Sequence, residues 1–143
     1  MLGVILTGHG GFASGLYQAV CQVIGKQTHV VAIDFPEGMG THELATKLNL
    51  AVTECEQGDG VVFLTDILGG SPFRCAALIC MAQPNIEVIT GTNMQLLIEM
   101  LLDRNQLTPA EFREQAIFCG QRGITSLWHE NQKNQPCINP EGI

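Results

Sequence analysis

The chain has 143 residues, a formal net charge of −7, 45% apolar residues and only 15% charged ones. That length is one domain's worth, and no Pro-Gly-Ser linker divides it. The acidic balance excludes an obligatory nucleic-acid binder or a surface drawn to anionic lipid, and the Val, Ile and Leu content excludes a disordered chain.

Leu2–Thr7 is a nearly continuous apolar run, as expected of a strand buried on both faces. It ends in the turn Gly8-His9-Gly10-Gly11. Leu16, Ala19, Val20, Val23 and Ile24 then recur at helical spacing until Gly25 stops them. His29–Asp34 reads as the second strand, Phe35–Gly40 as a loop of breakers, and Thr41 as the cap of a helix reaching about Gln57. Val61–Thr65 is the third strand. It leads through Asp66-Ile67-Leu68-Gly69-Gly70 to Ser71 and Pro72, which read as N-cap and first position of a helix over about Phe73–Met81. Ile86–Thr90 is the fourth strand, and Gly91-Thr92-Asn93 precedes a helix carrying Leu96, Leu97, Met100 and Leu101. Thr108-Pro109-Ala110-Glu111 opens a further helix with a capping box. Ile124–Trp128 looks like a short fifth strand, and residues 129–143 like a loose tail, which leaves 1–128 as the domain.

Strand-then-helix units in succession imply an α/β fold, an open and mostly parallel sheet sandwiched by helices. No apolar run approaches the roughly 20 residues of a membrane span. The short apolar run at the start lacks the basic stretch of a signal peptide, so a cytoplasmic protein is expected. Cys21, Cys55, Cys75, Cys80, Cys119 and Cys137 form no Cys-x-x-Cys pair and have no histidine at ligand spacing. They read as small hydrophobes rather than as metal ligands or a redox pair.

In such sheets the ligand site lies outside the carboxyl ends of the strands, where strand order reverses. The strand-end loops supply a histidine, His9, after the first strand and an aspartate, Asp66, after the third. A carboxylate beside an imidazole fixes its tautomer and leaves the far ring nitrogen as nucleophile or base. Glycines beside His9 remove side chains that would block a second large molecule. Gly70 and Ser71 begin a helix, so their N–H groups can hold an anion. Nucleophile, orienting carboxylate and anion cradle suit phosphoryl transfer to a histidine. The chain has neither Gly-x-x-x-x-Gly-Lys-Ser/Thr nor Gly-x-Gly-x-x-Gly, and no second acidic residue placed for magnesium, so no cofactor or metal is expected. Taken singly, His9 has a lesser alternative reading as an exposed turn residue, and Asp66 reads equally as a turn former; the pairing favours chemistry. His29, His42 and His129 read as ordinary. Phe12, Phe35, Met39 and Phe73 flank the candidate site and read either as core or as an apolar rim for a docking partner.

Thr7-Gly-His-Gly10, Ile33-Asp-Phe35, Phe63-Leu-Thr-Asp66, Gly69-Gly-Ser-Pro-Phe73 and Gly91-Thr-Asn93 follow one another at successive strand ends. In these motifs, over roughly residues 1–128, the chain resembles the IIA component of the bacterial phosphoenolpyruvate-dependent sugar phosphotransferase system, mannose/fructose/sorbose family. The resemblance implies that His9 accepts a phosphoryl group from the phosphocarrier HPr and passes it to a IIB component, with Asp66 supporting it. It implies membrane IIC and IID components as indirect partners. It also implies a homodimer in which a C-terminal strand, here Ile124–Trp128, is added antiparallel to the partner's sheet. The sugar is not written in such a domain, although general similarity points to the N-acetylgalactosamine or galactosamine branch. Two other readings stand beside it: a phosphotransfer domain serving a dihydroxyacetone kinase, and a non-enzymatic flavin- or nucleotide-binding module of the same fold class.

Overall fold

The computed structural model describes residues 1–134. Four strands, β1 (Gly3–His9), β2 (Val30–Phe35), β3 (Val61–Thr65) and β4 (Ile86–Ile89), form one sheet in the order β2-β1-β3-β4. All three pairings are parallel. Around them lie α1 (Phe12–Ile24), α2 (Thr41–Cys55), α3 (Ser71–Ala82), α4 (Met94–Asp103), α5 (Pro109–Arg122) and α6 (Leu127–Asn134). The expected open parallel α/β sandwich is the observed fold.

Strand alternation divides the core in two. Val4 and Leu6 of β1 and Val62 and Leu64 of β3 pack with α1, α4 and α5, whereas Ile5, Val61 and Phe63 pack with α2 and α3. The chain leaves β1 toward β2 and later crosses back past β1 to β3. Right-handed crossovers then require the connecting helices to change face at that reversal. They do: α1 lies on one face and α2 with α3 on the other. The crevice between the α1 and α3 N-termini, at the carboxyl ends of β1 and β3, is the switch point of the fold.

Three local expectations need correction. Ser71 and Thr41 are the first residues of their helices, and the N-caps are Gly70 and Gly40, without side-chain cap bonds. Ile124–Trp128 is not a strand: Ile124–Ser126 has no regular structure and Leu127 opens α6. Ser126 Oγ accepts the His129 N–H at 3.1 Å, a local cap that outweighs the β-propensity of an isolated segment. The tail expected from residue 129 therefore begins as helix, and residues 135–143, Cys137 among them, lie outside the described residues. The Thr108 capping box, by contrast, forms in full, with Thr108 Oγ1 accepting the Glu111 N–H at 3.1 Å and Glu111 Oε1 accepting the Thr108 N–H at 2.9 Å. Cys55, Cys75 and Cys119 are buried, while Cys21 and Cys80 are half-buried.

At the opposite end of the sheet, Arg104 is only 2% exposed and donates to the carbonyls of Leu2, Thr28 and His29. His29 sits in the left-handed region (φ 54°), which turns the chain into β2. Arg104 thus ties α4 to the starts of β1 and β2. Replacing Arg104 by Met removes the guanidinium donor from all three carbonyls, of which His29 keeps the Val4 N–H, and the expected loss is at least about 2 kcal/mol in urea unfolding. An unchanged midpoint would show that water satisfies them.

Candidate active site

His9 is the last residue of β1, and Asp66 follows the last residue of β3. Because Thr7 pairs with Thr65, the two emerge at nearly the same level of adjacent strands. Asp66 Oδ2 accepts the His9 backbone N–H at 2.8 Å and lies 2.7 Å from His9 Nδ1. Its Oδ1 accepts the Ile67 N–H at 2.8 Å. The backbone of Asp66 is held in turn, since Gly91 donates to its carbonyl at 3.1 Å while Thr92 donates to Thr65 at 3.2 Å.

Partial burial alone would raise the Asp66 pKa, but the hydrogen bonds from the His9 backbone and ring and from Ile67 outweigh it, and the carboxyl is held below its ordinary value. A carboxylate ionised at neutral pH against Nδ1 places the ring proton there, which leaves Nε2 with its lone pair. The side chain of Asp66 is 12% exposed and that of His9 is 45% exposed, so the anchor is covered and the ring is open to solvent.

Glycine is required at two places around this pair. A Cβ on Gly70 would lie 2.7 Å from His9 Cε1 and 3.4 Å from Nε2, so the α3 N-terminus approaches the side of the ring bearing Nε2. A Cβ on Gly8 would meet Phe12 Cδ1 at 2.4 Å and Asp66 Cγ at 3.0 Å. The first N–H groups of a helix have no intrahelical acceptor, so those around Gly70 and Ser71 are free to receive an anion beside Nε2. The sequence-predicted residues His9, Asp66, Gly70 and Ser71 are therefore brought together.

The expected apolar rim is less uniform. Phe12, Phe35, Met39 and Phe73 are all half-buried. Phe35 and Met39 pack against the core cluster on the α2 and α3 face, and the Phe35 ring also meets the His9 ring edge-on at 5.8 Å. The large apolar side chains most open to solvent beside the pair are Ile67, at 57% exposure, and Leu68, at 75%. The sequence reading passed them over, although branched apolar residues between a strand-end aspartate and two glycines are the available signal. Asn93 does not join the site: it accepts the Leu96 N–H and donates to the Gly120 carbonyl, pinning α4 to α5.

A family profile described as "PTS system fructose IIA component" matches residues 3–117. The chain belongs to this family, the IIA components of the sugar phosphotransferase system. It is 35% identical over 138 residues to the "Putative phosphotransferase enzyme IIA component YadI" of Escherichia coli (strain K12), which covers 96% of this chain and 94% of that protein. To the mannose-specific EIIAB component of the same strain it is 32% identical over 128 residues, covering 88% of this chain and 39% of the longer relative. The crystal structure of component EIIA from Streptococcus agalactiae superposes with a TM-score of 0.84 at 26% identity, over 90% of this chain and 99% of that one. Membership places this IIA component in sugar transport and among phosphotransferases. Among the described residues, no helix is long and apolar enough to cross a membrane.

The lowered pKa of Asp66 sets the sign of a pH effect. A group whose folded value lies below its unfolded one, about 3.9 for aspartate, adds stability above that unfolded value. The addition is lost as pH falls through the folded value. Unfolding free energies of wild type and Asp66→Asn should therefore differ above about pH 4 and converge below it. A constant difference across that range would show that the carboxylate is not stabilised by these donors.

Proposed function

We propose that His9 is the phosphoryl acceptor of this IIA component, receiving the group from phospho-HPr and passing it to a IIB component during sugar uptake. The observation that carries the reading is the 2.7 Å contact between His9 Nδ1 and Asp66 at the switch point. Nε2 uses its lone pair to form a new bond to phosphorus as the nitrogen–phosphorus bond of the donor phosphohistidine breaks. The released pair stays on the donor's ring nitrogen. The phosphorylated His9 ring gains positive charge, which the Asp66 carboxylate balances across Nδ1–H. The N–H groups around Gly70 and Ser71 receive the phosphoryl oxygens. Such transfer passes through a loose transition state, so placement and charge do most of the work. The onward step repeats the chemistry, with the IIB nucleophile attacking phosphorus and Nε2 leaving.

The mannose relative, whose name joins A and B in one chain, supports a IIB partner. In this scheme residues 1–128 act in the cytoplasm as the phosphocarrier domain, and the membrane IIC and IID components are reached only through IIB. The scheme gives no residue of the site a sugar contact, so the transported sugar, amino sugars included, is set by the other components. In this scheme the exposed Ile67 and Leu68, together with the half-buried Phe12, Phe35, Met39 and Phe73, supply the apolar contacts on which carrier proteins dock.

His9→Ala should abolish labelling by phospho-HPr with an unchanged circular dichroism spectrum, and the wild-type label should be acid-labile and base-stable. Normal stoichiometry on the alanine variant would falsify the assignment. Asp66→Asn should slow labelling by roughly ten- to ten-thousand-fold, the span of acid–base and orienting effects. Unimpaired kinetics would reduce Asp66 to a turn residue, and transfer abolished by EDTA would require a metal this scheme does not use.

The same reading includes a homodimer. Phe118, Ile124, Leu127 and Trp128 are 66%, 76%, 78% and 64% exposed at the C-terminal end, an apolar surface that a second copy would cover. Sedimentation at micromolar concentration should show a dimer that Trp128→Asp weakens. A monomeric wild type would end this part of the proposal.

A further inference from the structure

We infer that Asp34 is a positioning residue for the His9–Asp66 pair, acting through the first turn of α1. The inference rests on the phosphoryl-transfer reading only for its kinetic consequence.

Helix α1 lacks a cap of its own. Its N-cap residue is Gly11, which makes no side-chain bond, and its first turn carries no acidic residue. Asp34, at the end of β2, supplies what is missing. Its Oδ1 accepts the Ser14 N–H at 2.9 Å and its Oδ2 accepts the Ser14 hydroxyl at 2.5 Å. Ser14 is the third residue of α1, the position whose N–H an N-cap side chain ordinarily takes. A carboxylate there also meets the positive end of the helix dipole.

Strand register explains why β2 can do this. Asp34 pairs with Gly8, and Phe35 pairs with His9. Successive side chains alternate faces, so Phe35 reaches the His9 ring on the α3 side while Asp34 lies on the α1 side. What Asp34 holds in place is Phe12, the first residue of α1. An added Cβ on Gly8 would strike both the Phe12 ring and Asp66 Cγ, so ring and carboxyl share the space over Gly8. A frayed first turn would withdraw Phe12, admit water beside the Asp66 carboxylate and loosen its grip on His9 Nδ1.

The full chain is compared as wild type, Asp34→Ala, Asp34→Asn and Ser14→Ala, with two readouts besides thermal melting. One is the rate of phosphoryl uptake from phospho-HPr. The other is the nitrogen NMR signature of the His9 ring tautomer, which needs no donor. Asp34→Ala should slow uptake about ten-fold, the scale of a small misplacement of reacting groups, and move the His9 nitrogen signals toward tautomer averaging. Asp34→Asn keeps an oxygen for the Ser14 N–H and should recover to within about three-fold of wild type. If Asp34→Ala does not fold, Ser14→Ala decides, since it loses only the hydroxyl bond and should shift the His9 signals in the same direction by less. Unmoved His9 signals in whichever of these variants folds would overturn the inference, and so would an Asn variant as slow as the Ala one. A wild type that takes up no phosphoryl group would overturn the reading of His9 instead, while the tautomer signals would still decide Asp34.

Discussion

The Asp66 carboxylate collects the backbone and ring N–H groups of His9 and the backbone N–H of Ile67, and the rest of the site is arranged around that cluster. The two bonds to His9 reach across 57 positions of sequence and exist only because β3 lies beside β1 in matched register. Loop β4–α4 fixes the aspartate's backbone from the far side. The carboxylate is thereby sheltered and ionised, while the imidazole it holds stays accessible. On the proposed reading, in which His9 meets two partner proteins in turn, this asymmetry is useful. The carboxylate is largely shielded from water, and the imidazole is not enclosed by its own protein.

Much of this arrangement was legible because strong periodicity survives packing. The buried strands announce themselves as β-branched runs, and a histidine and an aspartate at the ends of the first and third can only meet if those strands are neighbours at a reversal. The misread caps show where local signals fail. Ser71 and Thr41 are better capping residues than glycine by propensity, yet Gly70 takes the cap position where a Cβ would strike the His9 ring. A tertiary contact 61 positions away in the chain is invisible to a propensity scale. Ile124–Trp128 departs from the expected strand within this chain for the opposite reason. Its β-forming residues suit a strand for a partner's sheet, whereas within one chain the Ser126 cap favours a helical turn.

The apolar rim illustrates a limit of composition. Phenylalanine beside a site serves equally as core or as docking surface, and only exposure separates the two. Phe35 rests on the α2 and α3 cluster, and its ring also meets the imidazole edge-on. Ile67 and Leu68 do neither of these structural jobs, so their exposure has a cost that partner binding would recover.

Asp34 and Asp66 follow the same sequence logic, each an aspartate at a strand end, and their difference comes from topology alone. Asp34 pairs with Gly8 from one side, and Asp66, one position beyond the Thr7–Thr65 pair, stands level with Gly8 from the other. One carboxylate takes the N–H and hydroxyl of Ser14 and so fixes α1. The other takes the N–H groups of His9 and so fixes the imidazole. Each negative charge has its own donors, so the two tolerate proximity, and the bare Cα of Gly8 leaves room for Phe12 between helix and carboxylate. The glycine before the histidine thus couples the helix start to the imidazole anchor, and any side chain at position 8 would collide with both the Phe12 ring and the Asp66 carboxyl.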